Sequence, residues 1–355
     1  MTQNISNGTT SLANLLYGTR LPAQGMSSAT TLLGALAQPV QANVLGTGLG
    51  GLVNSAAATP PWAYVTKRFT SFLQNLNLTE AQLADGAIKF KGVVSTLNAA
   101  YYGTNSETDH AFYIGSWAKH TRIRPPRDVD LYFLLPVDVY SRFDKYNGNK
   151  QSALLQEVKG KLLASYPLSD IKGDGPVVLA GFWSFNVEDV PAFVLQEDRT
   201  YWVPKTQNGG SYLTTKPLHE VDAIEDADRR NNSNVRRLIR MLKCWQANCN
   251  VELRSFYLEL LAIEFMDQWA YKDKSYFYYD WMCRDFFAWL ITKAGSFILA
   301  PGTFEILWIG DAWKTKAETA SGRALKSCDC EHNNNEGNAG DEWQKIFGAD
   351  IPKWV

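Results

Sequence analysis

Apolar residues recur at helical spacing in the segment that runs from residue 62 to residue 102. Spacing of i, i+3, i+4 and i+7 is typical of a helix that buries one face. The residues that carry this pattern are Phe69, Phe72, Leu73 and Leu76. A second helix is predicted to begin at Thr79, because a threonine hydroxyl can accept a hydrogen bond from the first turn. We therefore expect two helices that form a spine for the fold.

The apolar pattern changes to a period of two at residues 128–135. Val129, Leu131 and Phe133 alternate with polar or less apolar positions before a proline ends the run. This alternation predicts a strand with one buried face. Further strands are predicted at residues 177–179 and 182–194. A loop rich in Pro, Gly and Asn is predicted at residues 204–210. The first half of the chain is thus predicted to hold a sheet together with the spine helices.

Helical spacing returns after residue 231 and continues towards the end of the chain. Asn234 is predicted to cap a helix whose buried face holds Leu238 and Leu242. The segments expected to be helical after it are residues 256–269, 281–291 and 342–347, with a polar loop at 328–338. We predict three regions: an N-terminal arm (1–61), a core with the spine helices (62–230) and a helical lobe (231–355).

The composition excludes several classes of protein. The 355 residues carry 35 basic and 36 acidic side chains, a net charge of −1, so no global field attracts long nucleic acids or anionic membranes. The N-terminal arm is rich in Ala, Gly and Ser and carries Arg20 as its one charge. Five scattered cysteines favour a reducing compartment. With neither a signal peptide nor a membrane span expected, we predict a cytoplasmic protein.

Two aspartates in the predicted strand are the first sign of chemistry. Asp128 and Asp130 are two residues apart, so their side chains point to the same face of the strand, where like charges repel. They either lie at a solvated edge or need a cation, and Mg²⁺ accepts such carboxylates beside substrate phosphates. Gly115 and Ser116 upstream can form a phosphate cradle, since glycine allows close approach of the backbone.

The surrounding charges favour a site for polyphosphate. A basic cluster separates the Gly–Ser pair from the aspartates: Lys119, His120, Arg122, Arg124 and Arg127. Arg236, Arg240 and Lys243 form a basic stripe on the helix that begins near Asn234, which on its own is typical of a solvated face. Ser255 precedes an apolar helix and on its own is typical of a helix cap. A third carboxylate could come from Glu188 or Asp189, which point to opposite faces of their strand.

Taken together, these motifs resemble one family. Gly115-Ser116 followed by Asp128-Val129-Asp130 is similar to the signature of polymerase-β-like nucleotidyltransferases, in the form of the bacterial cGAS/DncV-like nucleotidyltransferases (CD-NTases, SMODS synthases). Blocks in the same order continue the resemblance: residues 187–193, 201–204, 238–245, 255–261 and 343–348. The resemblance implies an α+β fold with a mixed sheet and helical spine, a C-terminal helical lobe, and an active site in the cleft between them.

The resemblance also implies roles for particular residues. Asp128, Asp130 and Glu188 would bind Mg²⁺ or Mn²⁺ and act in catalysis, with Asp189 as the alternative should the register slip by one residue. Nucleotide binding would involve Gly115, Ser116, Lys243 and Ser255, and Phe256 and Tyr201 are candidates for stacking on bases. The implied product is a cyclic di- or trinucleotide made from NTPs, ATP among them, that activates a separate effector protein in anti-phage signalling.

Other functions remain open from the sequence. The chain could add nucleotides without a template to an RNA, protein or small-molecule acceptor, although its neutral charge disfavours a long RNA. It could also be a catalytically silent nucleotide-binding module. Cys328-x-Cys330-x-His332 offers zinc ligands, but its spacing is unlike that of usual zinc sites.

Overall fold

The computed structural model describes residues 61–355. The predicted N-terminal arm, up to residue 60, lies outside the described residues. Among the described residues, no helix combines the length and the apolarity needed to cross a bilayer.

The two predicted spine helices are confirmed as α1 (Val65–Asn75) and α2 (Glu80–Tyr102). Thr79 caps α2, since its hydroxyl accepts a hydrogen bond from the backbone N–H of Gln82 at 3.2 Å and the Gln82 side chain accepts one from the N–H of Thr79 at 2.9 Å. This reciprocal capping box satisfies two N–H groups that the helix itself leaves without partners. The short linker between the helices allows them to diverge towards different cores.

A seven-stranded mixed sheet forms the centre of the described region. Its strands are β1 (Ala111–Tyr113), β2 (Asp128–Leu134), β3 (Asp170–Asp174), β4 (Val177–Gly181), β5 (Asn186–Gln196), β6 (Thr200–Lys205) and β7 (Ser211–Thr215). The order is β1-β2-β5-β4-β3, and β6 and β7 continue from β5. Strands β2 and β5 pair in parallel and the other pairs are antiparallel. The strand predicted at residues 128–135 is confirmed, and it lies next to the centre of the sheet.

Three helices accompany this sheet: α3 (Gly115–Ala118), α4 (Val137–Asp144) and α5 (Lys150–Ser165). The first core joins α2 and α5 to one face of the sheet through Val94, Leu97, Leu154, Val129 and Leu131. Helix α3 is a single turn that connects β1 to the segment before β2. The sheet is thereby covered by helices on one face, while the site described below lies where α3 meets β2.

The second half is a helical lobe, as predicted, although its first helix lies before the predicted start of the lobe at residue 231. Its helices are α6 (Pro217–Arg230), α7 (Asn234–Cys249), α8 (Ser255–Gln268), α9 (Tyr279–Ile291), α10 (Lys314–His332) and α11 (Glu336–Phe347). A hairpin of β8 (Phe297–Leu299) and β9 (Ile306–Trp308) is added to it, and short 3₁₀ turns occur at Gln207–Gly209, Tyr276–Tyr278 and Gly348–Asp350. The sequence pattern did not predict the hairpin.

The prediction of a polar loop at residues 328–338 is wrong, because most of this segment is helical. Cys328, Cys330 and His332 belong to the last turns of α10, and α11 begins at Glu336. The segment is helical because tertiary packing buries Cys328 and Glu331 against the lobe, which outweighs its polar composition. Among residues 61–355, Cys328, Cys330 and His332 do not form a group that could hold a metal ion.

Helix α1 packs into the core of the lobe. Its Phe69 ring lies 5.3 Å from the ring of Trp343 and 6.2 Å from that of Tyr279, and Phe72 lies 4.9 Å from Phe347. The first spine helix therefore joins the beginning of the described region to its last helix, through edge-to-face and tilted aromatic contacts.

A buried ion pair reinforces this junction. The Arg68 Nε lies 2.6 Å from the Glu331 carboxylate, and both side chains are fully buried. The Arg68 guanidinium also donates to the backbone carbonyls of Pro352, Lys353 and Glu336. Such an arrangement satisfies the donors of a buried arginine, so its removal would leave a buried carboxylate and several carbonyls without partners.

We expect Arg68→Met to lower the free energy of unfolding by about 3–5 kcal/mol, the usual cost of removing one partner of a buried ion pair. Urea unfolding followed by circular dichroism measures this change. Lys67→Met is the matched control, because Lys67 is exposed on the same helix. Equal stability of the two variants would contradict the importance of the pair.

A second buried acid predicts a dependence of stability on pH. Asp280 on α9 is completely buried, and this burial raises its pKa from 3.8 to about 8. The folded protein thus retains a proton that the unfolded chain releases. Stability from this group is present below pH 4 and is lost as the pH rises towards 8. Asp280→Asn should raise the melting temperature at pH 8 relative to wild type more than at pH 5. The exposed Asp311→Asn control should show no such difference between the two pH values. An equal increase in melting temperature for Asp280→Asn at pH 5 and pH 8 would contradict the effect of burial.

Candidate active site

Three carboxylates converge where the parallel strands β2 and β5 meet. Asp130 is directly opposite Glu188 in the register of the pair, and Asp128 lies two positions before Asp130 on the same face. One oxygen from each of the three side chains lies within 4.8 Å of the others. The parallel register therefore brings together residues that are about sixty positions apart in the sequence.

Burial and mutual proximity disfavour the ionised forms of the aspartates in this cluster. Burial raises the pKa of Asp130, and the neighbouring carboxylates of Asp128 and Glu188 add to this effect, so that the pKa reaches about 7. Burial also raises the pKa of Asp128, against the opposing effects of Arg127 and Lys243. These shifts have the causes expected for acids that share a partly buried site. A divalent cation would reverse them by favouring the ionised forms.

Helix α3 places its Gly–Ser pair directly against the aspartates. The backbone N–H of Ile114 donates to the Asp130 carbonyl at 3.0 Å, and the Trp117 indole donates to the Asp128 carbonyl at 2.8 Å. Gly115 has a φ of +54°, and a Cβ atom there would lie 2.1 Å from the Asp130 carboxylate oxygen Oδ2. Only glycine fits this position, because both its conformation and the contact with Asp130 exclude a side chain.

A cavity of about 240 Å³ opens between α3, β2 and the helical lobe. The sheet side contributes Gly115, Ser116, Asp128 and Asp130, and the segment between them contributes basic residues. The residues that line the cavity from the lobe are Lys243, Ser255, Phe256 and Glu259. The cavity thus contains acidic, basic and aromatic side chains and has room for part of a small ligand.

The structure brings most of the predicted binding residues to this cavity. Lys243 on α7 is buried, and its ammonium lies 2.6 Å from Glu259 and donates to the Thr121 hydroxyl at 2.8 Å. Ser255 is the first residue of α8, and its hydroxyl donates to the Gln246 side chain at 2.7 Å; it makes no cap to its own helix.

The two residues predicted to stack on bases, Phe256 and Tyr201, lie in different surroundings. Phe256 lies beneath the Lys119 ammonium, which is 4.6 Å from the ring centroid. Tyr201 is not among the residues that line the cavity. It is buried on β6, where its ring packs 5.4 Å from Phe112 and 5.7 Å from Tyr132. Alternating strand residues face opposite sides, and Tyr201 belongs to a small apolar cluster of the sheet.

The predicted basic stripe on α7 is not a solvated face. Arg236 pairs with Asp228 at 3.1 Å and donates to the Lys119 carbonyl at 3.0 Å. Arg240 donates to the Leu73 carbonyl and to the Asn77 side chain. Two of the three cations therefore join α7 to the segments around it, while Lys243 reaches the cavity.

Asp189 lies away from the carboxylate cluster. It is fully buried on the opposite face of β5 from Glu188, and burial raises its pKa well above the usual value. Its position opposite Leu131 fixes this orientation. Of the two acids that the sequence left open, the structure places Glu188 beside Asp128 and Asp130.

Sequence reasoning missed Glu259 and Glu220. Glu259 occurs within the apolar block 255–261 that carries the resemblance, but no role was assigned to it, and Glu220 lies outside every quoted block. A buried acid in such a run would have been the available signal, because a charged group is almost never fully buried without a partner.

Comparisons with known proteins give this geometry a context. Residues 64–228 match the Second Messenger Oligonucleotide or Dinucleotide Synthetase (SMODS) domain family. The chain is 21% identical over 210 residues to a protein described as a probable cyclic nucleotide synthase of Bacillus cereus (strain VD146). That match covers 50% of this chain and 61% of the relative, so the chain spans about three fifths of the relative's length.

Solved structures show a similar fold. Escherichia coli MS115-1 CdnC, solved with ATP, has a TM-score of 0.58 at 18% identity and covers 81% of this chain and 98% of its own. Bradyrhizobium diazoefficiens CdnG, solved with GTP, has a TM-score of 0.57 at 12% identity, with coverages of 81% and 96%. The Vibrio cholerae dinucleotide cyclase DncV has a TM-score of 0.55 at 10% identity, with coverages of 82% and 88%. The predicted α+β fold, with a mixed sheet and a C-terminal helical lobe, is confirmed.

The contact between Gly115 and Asp130 predicts the effect of a small substitution. Gly115→Ala should displace the Asp130 carboxylate and lower the affinity for Mn²⁺ by about 10-fold or more, the usual range when the orientation of a ligand is lost. Titration of Mn²⁺ followed by electron paramagnetic resonance measures the affinity. Gly160→Ala is the matched control, because a Cβ atom there meets no neighbour. Equal Mn²⁺ affinity of the two variants would contradict the proposed constraint.

Proposed function

Because this chain belongs, through residues 64–228, to the SMODS family of cGAS/DncV-like nucleotidyltransferases, we propose that it joins NTPs into a cyclic di- or trinucleotide and releases pyrophosphate. The observation that carries this proposal is the convergence of three carboxylates, of which Asp128 and Asp130 line a cavity together with the Gly–Ser pair. Nucleotidyl transfer needs both features, since charge on the phosphoryl oxygens must be neutralised while the triphosphate is held in line.

The carboxylates fit a hard divalent cation, for which we propose Mg²⁺ or Mn²⁺. Asp128, Asp130 and Glu188 offer oxygen ligands alone, which these ions prefer. The raised pKa of Asp130 is consistent with this assignment, because burial and, after it, the neighbouring carboxylates disfavour an ionised form that a cation would stabilise. When bound, the ion neutralises phosphoryl oxygens and lowers the pKa of the attacking hydroxyl.

The other cavity residues are proposed to bind the nucleotide. Gly115 and Ser116 would hold the donor triphosphate through backbone N–H groups and a hydroxyl. Lys243 and Ser255 would contact phosphate oxygens, and Phe256 offers a ring face for a base. Tyr201 has no part in this proposal, because it packs within the sheet. These residues position and neutralise the triphosphate while a ribose hydroxyl attacks.

The product is proposed to act as a second messenger. In this proposal it activates a separate effector protein in anti-phage signalling, and the reaction takes place in the cytoplasm, where NTPs are available. CdnC of Escherichia coli MS115-1 and CdnG of Bradyrhizobium diazoefficiens have been solved with ATP and GTP, respectively, which supports purine NTPs as substrates.

The carboxylates provide the direct test of the activity. The double variant Asp128→Asn with Asp130→Asn should fold as well as wild type, because it removes mutual repulsion, and should lose at least about 1000-fold of the activity through loss of metal-assisted charge stabilisation. The assay incubates the protein with four labelled NTPs and Mn²⁺, then measures pyrophosphate and phosphatase-resistant product. Mass spectrometry identifies that product.

The control for this test is Asp144→Asn, which changes an exposed acid on α4. Undiminished synthesis by the double variant would exclude the metal role. Label transferred to an RNA, protein or small-molecule acceptor would favour template-independent transfer. Nucleotide binding without any turnover by the wild type would favour a silent binding module.

A further inference from the structure

A network of mostly buried charges borders the cavity and is separate from the carboxylate cluster. Glu259 on α8 is its centre: one carboxylate oxygen lies 2.6 Å from the Lys243 ammonium and accepts from the Thr121 hydroxyl at 2.9 Å. Its other oxygen lies 3.0 Å from the Lys119 ammonium. Lys119 has a second acidic partner, Glu220, at 2.8 Å. We call these five residues the lysine–glutamate network.

Glu259 remains ionised within this network. Burial alone would raise its pKa, but the ammonium groups of Lys119 and Lys243 outweigh that effect and lower the pKa to about 2. Burial likewise opposes the charged form of Lys119, and the two glutamates reverse this and raise its pKa. The network therefore contains two ammonium groups and two carboxylates, and it is close to neutral.

The network joins parts of the chain that form different sides of the cavity. Lys119 is the C-terminal cap of α3, the helix that begins with the Gly–Ser pair, whereas Lys243 and Glu259 belong to α7 and α8 of the lobe. Glu259 is thus the one group that contacts both ammonium groups among the described residues. A free lysine side chain samples many rotamers, so a contact that fixes one ammonium reduces the entropy lost when that ammonium must align with the phosphoryl oxygens in the transition state.

We propose that Glu259 is a positioning residue, which holds the ammonium groups of Lys119 and Lys243 at fixed places beside the triphosphate of the bound NTP. This inference rests on the proposed function of the cavity. Glu259 acts through the two lysines and makes no contact with the reacting atoms. The negative charge of Glu259 also weakens the binding of an anionic nucleotide. Glu259 therefore lowers the affinity for NTP while it favours the reaction of the bound NTP.

Removal of the charge should therefore give tighter binding together with slower turnover. In Glu259→Gln we expect a Kd for NTP at least about 3-fold lower, because one negative charge near the anion is lost. The kcat should fall about 10- to 100-fold, because the ammonium groups lose their fixed positions. A defect that is merely structural would weaken binding and turnover together, so the opposite signs identify positioning.

Glu259→Asp separates charge from position. The aspartate keeps the charge but is shorter by one methylene group and cannot bridge both lysines. We expect its Kd for NTP to stay within about 2-fold of wild type, since the electrostatic field is preserved, while kcat falls about 10-fold through misplacement. Equilibrium binding is measured with a non-reactive NTP analogue, with and without Ca²⁺, so that this readout is independent of turnover.

The matched control is Glu342→Gln. Glu342 is also a buried glutamate with two lysine partners, Lys326 at 2.6 Å and Lys345 at 2.8 Å, but it lies on α11, away from the cavity. Its substitution should leave both Kd and kcat at wild-type values. Melting temperatures of all variants are recorded beside the kinetics.

Several results would overturn the inference. Wild-type kcat in Glu259→Gln, or weaker binding together with slower turnover, would show that Glu259 does not position the lysines. Should Glu259→Gln fail to fold, Thr121→Val tests the same contact without a change of charge, and an unchanged kcat there would also contradict it. An inactive wild type would instead refute the proposed function of the cavity.

Discussion

The parallel pairing of β2 with β5 is the constraint on which the site depends. It places Asp130 opposite Glu188 and holds three carboxylates together although they repel one another. The pairing is fixed by the other face of the same strands, where Val129 and Val187 are fully buried opposite each other. A shift by one residue would expose these valines to the cavity, so the apolar core stabilises an arrangement that electrostatics alone disfavours.

Cations line the cavity both from the sheet side and from the helical lobe. Lys243 reaches the cavity from α7, and Glu259 joins this lysine to Lys119 of the sheet side. The carboxylates lie on β2, whereas the ammonium groups lie on α7 and at the end of α3. A triphosphate with its divalent ion matches this division, because the ion is attracted to one side and the phosphate oxygens to the other. A movement of the lobe relative to the sheet would change the distance from the Lys243 ammonium to the carboxylates of β2. It would also change the distance from Glu259 to Lys119.

Functional residues could be predicted from the sequence where the two-residue period of a strand or a short motif determines their placement. Asp128 and Asp130 share a face in any strand, and Gly115-Ser116 precedes them within one recognisable motif, so both could be predicted. Tyr201 could not be placed, because an aromatic residue in a strand fits either face of a sheet with two partly buried sides. The helix at Cys328 and His332 was missed for a related reason, since contacts distant in sequence bury a segment that is locally polar.

Glu259 and Asp189 illustrate a further limit, because both are buried acids in apolar surroundings and behave in opposite ways. Glu259 has two ammonium partners from distant segments and is ionised, whereas burial without such partners raises the pKa of Asp189 well above its usual value. The sequence cannot separate these cases, since the partners are 16 and 140 positions from Glu259. The buried valines of β5 determine the register, and this register places Glu188 beside Asp128 and Asp130 and leaves Asp189 in the core. Adjacent acids in one strand thereby lie in different surroundings, and the apolar residues around them determine which one lies where a cation can bind.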